Sequence, residues 1–157
     1  MTLICLCEVL DERKYQLSGK VAIFEDKKAV LRAFGLTDEN WLELWNIDSR
    51  VLTLCFDSLD PEYEKFIVVF DYETFCSEED IKEAILFHEL GHIHHPVLKG
   101  EVSIEAEIEC DQNAIKNGYR TGILKVLRLM LDMAKSLNHK LLMDMTVKRL
   151  KYIESLT

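Results

Sequence analysis

His88-Glu89-Leu90-Gly91-His92 constrains this chain more than any other five residues. In an α-helix, residues four apart lie one turn above each other on one face. His88 and His92 therefore project side by side. Both imidazoles can reach a single metal ion at about 2.0–2.1 Å. Glu89 lies about 100° further round the helix. It is too near in sequence to be an easy third ligand, but well placed to touch water beside the ion. That is the division of labour of a zinc hydrolase, in which two histidines hold the metal and a glutamate takes a proton from water. The competing reading is a surface helix with two exposed imidazoles and a solvated carboxylate. Gly91 argues against it. A helix interior normally avoids glycine, at a cost of about 1 kcal/mol relative to alanine, so glycine here implies that another segment packs closely on that turn.

The flanking sequence supports a helix. Ser77 precedes Glu78, Glu79 and Asp80, an approximate capping box whose acids suit the positive end of the helix dipole. Ile81, Ala84, Ile85 and the pair Leu86/Phe87 form an apolar stripe running to about His94, and Pro96 ends the helix. Upstream, 50–56 and 65–70 read as strands joined by a turn containing Pro61, with the second rich in β-branched and aromatic residues. The two are expected to pair as an antiparallel hairpin. Leu3 to Val9 reads as a first strand or an opening helix, and 21–24 is ambiguous. Asp26 caps a helix that stops at Gly35, and Thr37 offers a cap for another carrying Trp41, Leu42, Leu44 and Trp45. Downstream, helices are expected from Ser103 to Asn117-Gly118, then over 121–136 and 140–156. The expectation is α+β: a small antiparallel sheet packed on the metal-binding helix, followed by an all-helical C-terminal part. With 157 residues and no repeat or Pro/Gly-rich linker, 1–157 reads as one domain.

Composition narrows the partners. A formal net charge of -9 suits neither nucleic acid nor an anionic membrane surface. No apolar run reaches the ~20 residues of a membrane-spanning helix. The apolar start has no preceding positive charge and runs into Asp11-Glu12, unlike a secretory signal. Five scattered cysteines read as reduced thiols, and the expected location is cytoplasmic.

A catalytic zinc takes three protein ligands and one open position. Glu101, Glu105, Glu107, Glu109 and Asp111 are the acids within reach downstream, and the residues alone leave the choice open among Glu105, Glu107 and Glu109. HELGH followed by Glu107-Ile-Glu-Cys-Asp111-Gln-Asn-Ala114 resembles the gluzincin pattern HExxH … ExxxD, in particular the minigluzincins and the ImmA/IrrE-like peptidases. The resemblance covers residues 50 to 118. It implies a zincin-like fold, zinc held by His88, His92 and Glu107, Glu89 as general base, and Asp111 supporting a zinc histidine. It also implies a peptide or protein substrate bound as an extended strand, with Phe66 to Phe70 near the sheet edge. Cys110 stands where that pattern usually has alanine. No HExxHxxGxxH extension is present, which argues against a metzincin.

Other residues have weaker claims. His94 and His95 read as non-ligands at a loosening helix end. Tyr119 and His139 are options for steadying an oxyanion, with packing or exposure the commoner fate. Cys5 and Cys7 could block the open metal position, although no motif supports it. The last two helices carry Leu124, Leu127, Leu131 and Leu142 with Met130, Met133, Met143 and Met145. Such a surface either completes the core or binds a protein partner. The rival to a peptidase is therefore a non-catalytic metal-binding or interaction module.

Overall fold

The computed structural model describes residues 5–37, 39, 44–58, 60–94 and 103–156. Four strands form one sheet: β1 (Cys5–Val9), β2 (Val21–Glu25), β3 (Thr53–Asp57) and β4 (Lys65–Val69). Among the described residues six α-helices accompany them: α1 (Lys27–Ala33), α2 (Tyr72–Phe75), α3 (Glu79–His94), α4 (Ile104–Lys116), α5 (Arg120–Ser136) and α6 (Lys140–Ser155). The fold is α+β, with a mostly helical C-terminal half.

The strand order is β1-β2-β4-β3. β3 and β4 form the expected antiparallel hairpin, with Cys55 opposite Ile67. The sheet as a whole is mixed rather than antiparallel, because β2 and β4 run parallel in the register Ile23↔Ile67. The physical reason is the connection. Parallel neighbours need a crossover of a dozen or more residues, and here α1 and the segment after it carry the chain back. β4 thus lies inside the sheet between β2 and β3. Its residues Ile67, Val68 and Val69 are buried, in keeping with their β-branched character. The exposed edge beside α3 belongs to β3, not to 66–70 as the resemblance implied.

Local signals place most boundaries. The Asp26 side chain accepts from Ala29 N at the start of α1, and Gly35 adopts φ +69° after its end. Ser103 accepts from Ala106 N and opens α4. Ser77 behaves differently from a capping residue: its hydroxyl donates to the Thr74 carbonyl, 2.6 Å away. The acids Glu79 and Asp80 still occupy the first turn of α3. Of the helix expected to carry Trp41, Leu42, Leu44 and Trp45, residues 40–43 lie outside those described, while Leu44 and Trp45 are helical. Pro96, Glu101, His95 and the side chain of His94 lie outside them too.

α3 is the axis of the molecule. Ile81, Ala84, Ile85, Leu86, Phe87 and Leu90 are all buried, more of its circumference than an amphipathic stripe requires. α4 and α5 pack along it and β3 approaches it, so little of its surface faces water. Two glycines allow this proximity. A Cβ on Gly91 would sit 2.8 Å from Cys110 Cα of α4, as the cost of a helical glycine implied. A Cβ on Gly122 of α5 would sit 2.2 Å from the Asp80 carbonyl oxygen. Asn113 adds a tie, donating to the Phe87 carbonyl at 2.7 Å. The leucines and methionines of α5 are mainly core: Leu127 and Met133 are buried, and Met130 and Leu131, with Leu142 of α6, pack partly against the core. Among the described residues, no helix is long and apolar enough to cross a membrane.

The Gly122 contact is with backbone, which cannot swing aside. Gly122→Ala should therefore destabilise the protein by about 1–3 kcal/mol, as overpacking does, even though alanine is the better helix former. Urea unfolding of the two proteins side by side reads this directly, and an unchanged or higher midpoint would refute the packing argument.

Candidate functional site

α3 and α4 run against each other at the Gly91–Cys110 contact, and this pairing brings the motif residues together. His88 and His92 lie on one face of α3 with ring centroids 5.2 Å apart. Across from them, one carboxylate of α4 meets both rings. Glu107 Oε2 is 3.0 Å from His88 Nε2, and Glu107 Oε1 is 3.4 Å from His92 Nε2. The other acids of that helix do not share the position. Glu105 is exposed and lies 3.2 Å from the Ser103 hydroxyl, which donates to it, and Glu109 is exposed. Helical spacing explains the selection, because Glu107 and Asp111 are four apart and share a face.

Asp111 completes the arrangement from behind. Its Oδ1 lies 2.9 Å from His88 Nδ1. A carboxylate there holds the proton on Nδ1 and orients the ring so that Nε2 faces Glu107. Asp111 is only 1% exposed, so its charge demands a partner. Arg149 of α6 supplies one, with Nε 2.8 Å from Oδ2 and Nη2 2.8 Å from Oδ1. Such a two-pronged guanidinium–carboxylate pair fixes geometry as well as charge. Arg149 is itself 4% exposed and its Nη1 lies 3.9 Å from Glu107. The motif residues gave no hint of this arginine. One signal was available: it occupies the inner face of α6 with Thr146, Leu150 and Ile153, where a charge needs a buried counter-ion.

These groups shift one another. Burial alone would lower the His88 pKa, but the Asp111 and Glu107 carboxylates outweigh it and push it up to about 9. Burial works against ionising Glu107 and Asp111 as well. His88 and His92 beside Glu107, and Arg149 and His88 beside Asp111, hold both carboxyls below the usual range.

The front of the site is an open cleft of about 460 Å³. His88, His92, Glu89, Glu107 and Arg149 form its floor, and Thr53, Leu54 and Cys55 of β3 form one wall. Glu89 is 9% exposed, and its Oε1 lies 3.5 Å from the Thr53 hydroxyl, which donates to it. Cys55 is no rival nucleophile: burial, reinforced by the Glu89 charge, pushes its thiol up to about 12.

Two triads could hold a metal. His88, His92 and Cys110 offer ligand atoms within 4.8 Å of one another. Cys110, however, is not part of the cleft lining. Its Sγ would sit 3.0 Å from a Cβ on Gly91, wedged between the helices. Glu107 opens onto the cleft with both histidines. For ligands about 2.0–2.1 Å from a tetrahedral ion, neighbouring donors stand roughly 3.3–3.4 Å apart. The observed 3.4 Å lies at that spacing and the 3.0 Å inside it, the two measured to different Glu107 oxygens. By donor type, two imidazole nitrogens and a carboxylate suit a zinc-like ion, and Asp111 backs one of the imidazoles.

The remaining sequence candidates lie elsewhere. Tyr119 stacks on Phe87 at 5.5 Å, and His139 Nδ1 accepts from Leu142 N at the start of α6. Neither lines the cleft. Cys5 and Cys7 sit on β1, the sheet edge opposite β3, away from the cleft. All five cysteines are free.

Two measurements test this network in metal-free protein. Arg149→Met leaves the buried Asp111 charge with His88 alone as its partner, and should cost about 3 kcal/mol in urea unfolding. Asp111→Asn combined with Arg149→Met should recover part of that loss. The second measurement is pH dependence. The folded His88 pKa of about 9 lies above the ordinary 6.5, so its contribution is complete below about pH 6.5 and is lost as pH rises through 9. The melting temperature of chelator-treated protein should fall across that window, and less so in His88→Gln.

No protein-family model, curated protein or solved structure matches this chain.

Proposed function

We propose that the protein is a zinc-dependent peptidase. The observation that carries the reading is Glu107, placed 3.0 and 3.4 Å from the Nε2 atoms of two histidines in an open cleft that also contains Glu89. On this reading His88, His92 and Glu107 hold zinc. When bound there, the ion supplies Lewis-acid polarisation of a substrate carbonyl and lowers the pKa of water.

The protein's own residues do the rest. Asp111 keeps His88 in the tautomer that presents Nε2, and Arg149 keeps Asp111 ionised in its buried setting. Thr53 donates to Glu89 Oε1 and leaves the second carboxylate oxygen for water. Glu89 then takes the proton of the attacking water at a carboxylate oxygen and returns it to the leaving amine. The open edge of β3 beside the cleft gives a peptide backbone a place to lie along the site. The acidic net charge supports a substrate other than nucleic acid.

The test separates metal binding from catalysis. Mass spectrometry of purified, zinc-supplemented protein should find one equivalent of zinc, greatly weakened in Glu107→Ala and unchanged in Glu109→Ala. Glu89→Gln should keep the metal and lose peptide hydrolysis by about a hundredfold or more, the scale of a lost general base. Zinc bound without cleavage of any peptide would favour a non-catalytic metal-binding module. A wild-type protein that takes up no zinc would sink the reading.

A further inference from the structure

Cys110 is where this chain departs from the HExxH … ExxxD pattern, which usually has alanine there, and the proposed zinc set makes no use of it. Its side chain is 1% exposed. Three positions after Glu107 and one before Asp111, it shares the inner face of α4 with both. Gly91 makes room for it on the other helix. A Cβ on Gly91 would stand 3.0 Å from Cys110 Sγ, closer than ordinary packing allows. The thiol therefore rests against the turn of α3 that carries both imidazoles. One ligand atom each from His88, His92 and Cys110 lie within 4.8 Å of one another.

From this cluster we infer that His88, His92 and Cys110 form a second ligand set, which takes a soft, thiophilic ion of the copper(I) or cadmium(II) kind and excludes zinc while that ion is held. The inference shares only the two histidines with the zinc set and stands whether or not the protein cuts peptides. Charge does not separate the two sets, because a thiolate and a carboxylate each bring one negative charge to the same pair of imidazoles. Softness does. Carboxylates suit harder ions, thiolates select soft ones, and two imidazoles with one thiolate make a donor set typical of copper. Size acts in the same direction. With bonds of about 2.0–2.3 Å, zinc draws nitrogen and sulfur donors to roughly 3.3–3.8 Å apart. A larger soft ion such as cadmium(II), with longer bonds, spans a wider group. The thiol proton leaves to solvent as the ion binds. Burial, with the charges of Glu107, Glu89 and Asp111, otherwise holds Cys110 protonated. The free thiol is thus inert, and the ion itself supplies the positive charge that a thiolate needs here.

The experiment adds one equivalent of cadmium(II) to chelator-treated, full-length protein. It reads thiolate-to-cadmium charge-transfer absorption in the ultraviolet and counts bound metal by mass spectrometry. Wild type should bind one cadmium and show the band. Cys110→Ala and Cys110→Ser should lose the band, while both still take up zinc and melt near the wild-type temperature. Glu107→Gln should keep the band. Cys5→Ser combined with Cys7→Ser should keep it as well, which excludes the thiols of β1 as its source. Zinc added afterwards should displace cadmium from Cys110→Ala before it does so from wild type. Cadmium bound without the band, a band that survives in both Cys110 variants, or no cadmium bound at all overturns this inference and leaves the zinc reading standing. Loss of zinc uptake together with the band in both variants reads as a packing role for the thiol and overturns it too. A band that depends on Cys110 in a protein that takes up no zinc sinks the peptidase reading and leaves this inference in place.

Discussion

The carboxylate of Asp111 is the constraint around which the functional half of the molecule is organised. A charge this deeply buried must be paired and hydrogen-bonded, or it would cost several kcal/mol. It is satisfied from two directions, by His88 of α3 and by the guanidinium of Arg149 on α6. Three helices that are distant in sequence thereby acquire one relative position. Glu107, one turn before Asp111, is carried to the histidines by the same placement. The placement of Glu107 against both histidines is a consequence of how a buried charge is neutralised, as much as of the HExxH spacing.

Close packing makes that neutralisation possible. Hydrogen bonds near 2.8 Å across helix interfaces require short separations between the helices. Gly91 against Cys110 provides one between α3 and α4, where His88 meets Asp111. The sheet supplies the other wall. Because β2 and β4 run parallel, β3 is left at the edge of the sheet among the described residues, where Thr53 meets Glu89.

Much of this was legible in the residues, and the exceptions have physical causes. The helices from 79 to 155 could be read because caps, apolar period and stop signals agree over long stretches. Gly91 could be read as a contact because its helix cost demanded an explanation. The parallel pairing of β2 with β4 could not, since short strands record burial and not direction. Ser77 misled because its hydroxyl had a nearer acceptor in Thr74. The acid that faces the histidines needed the helix register, which a run of Glu at 105, 107 and 109 leaves open. Arg149 was missed because its meaning lies in the partner and not in its neighbours. The resemblance put 66–70 near the sheet edge, although a strand so rich in β-branched residues belongs inside a sheet, where β4 lies.

The Arg149–Asp111 pair joins residues 38 positions apart, and Arg149 lies 61 positions beyond His88. The local motif forms as soon as α3 winds, but the layer that orients it exists only once α6 has docked. Contacts of such long range carry a closure entropy that local helix formation does not. The orientation of the two histidines is therefore a property of the whole fold, and not of the helix that bears them.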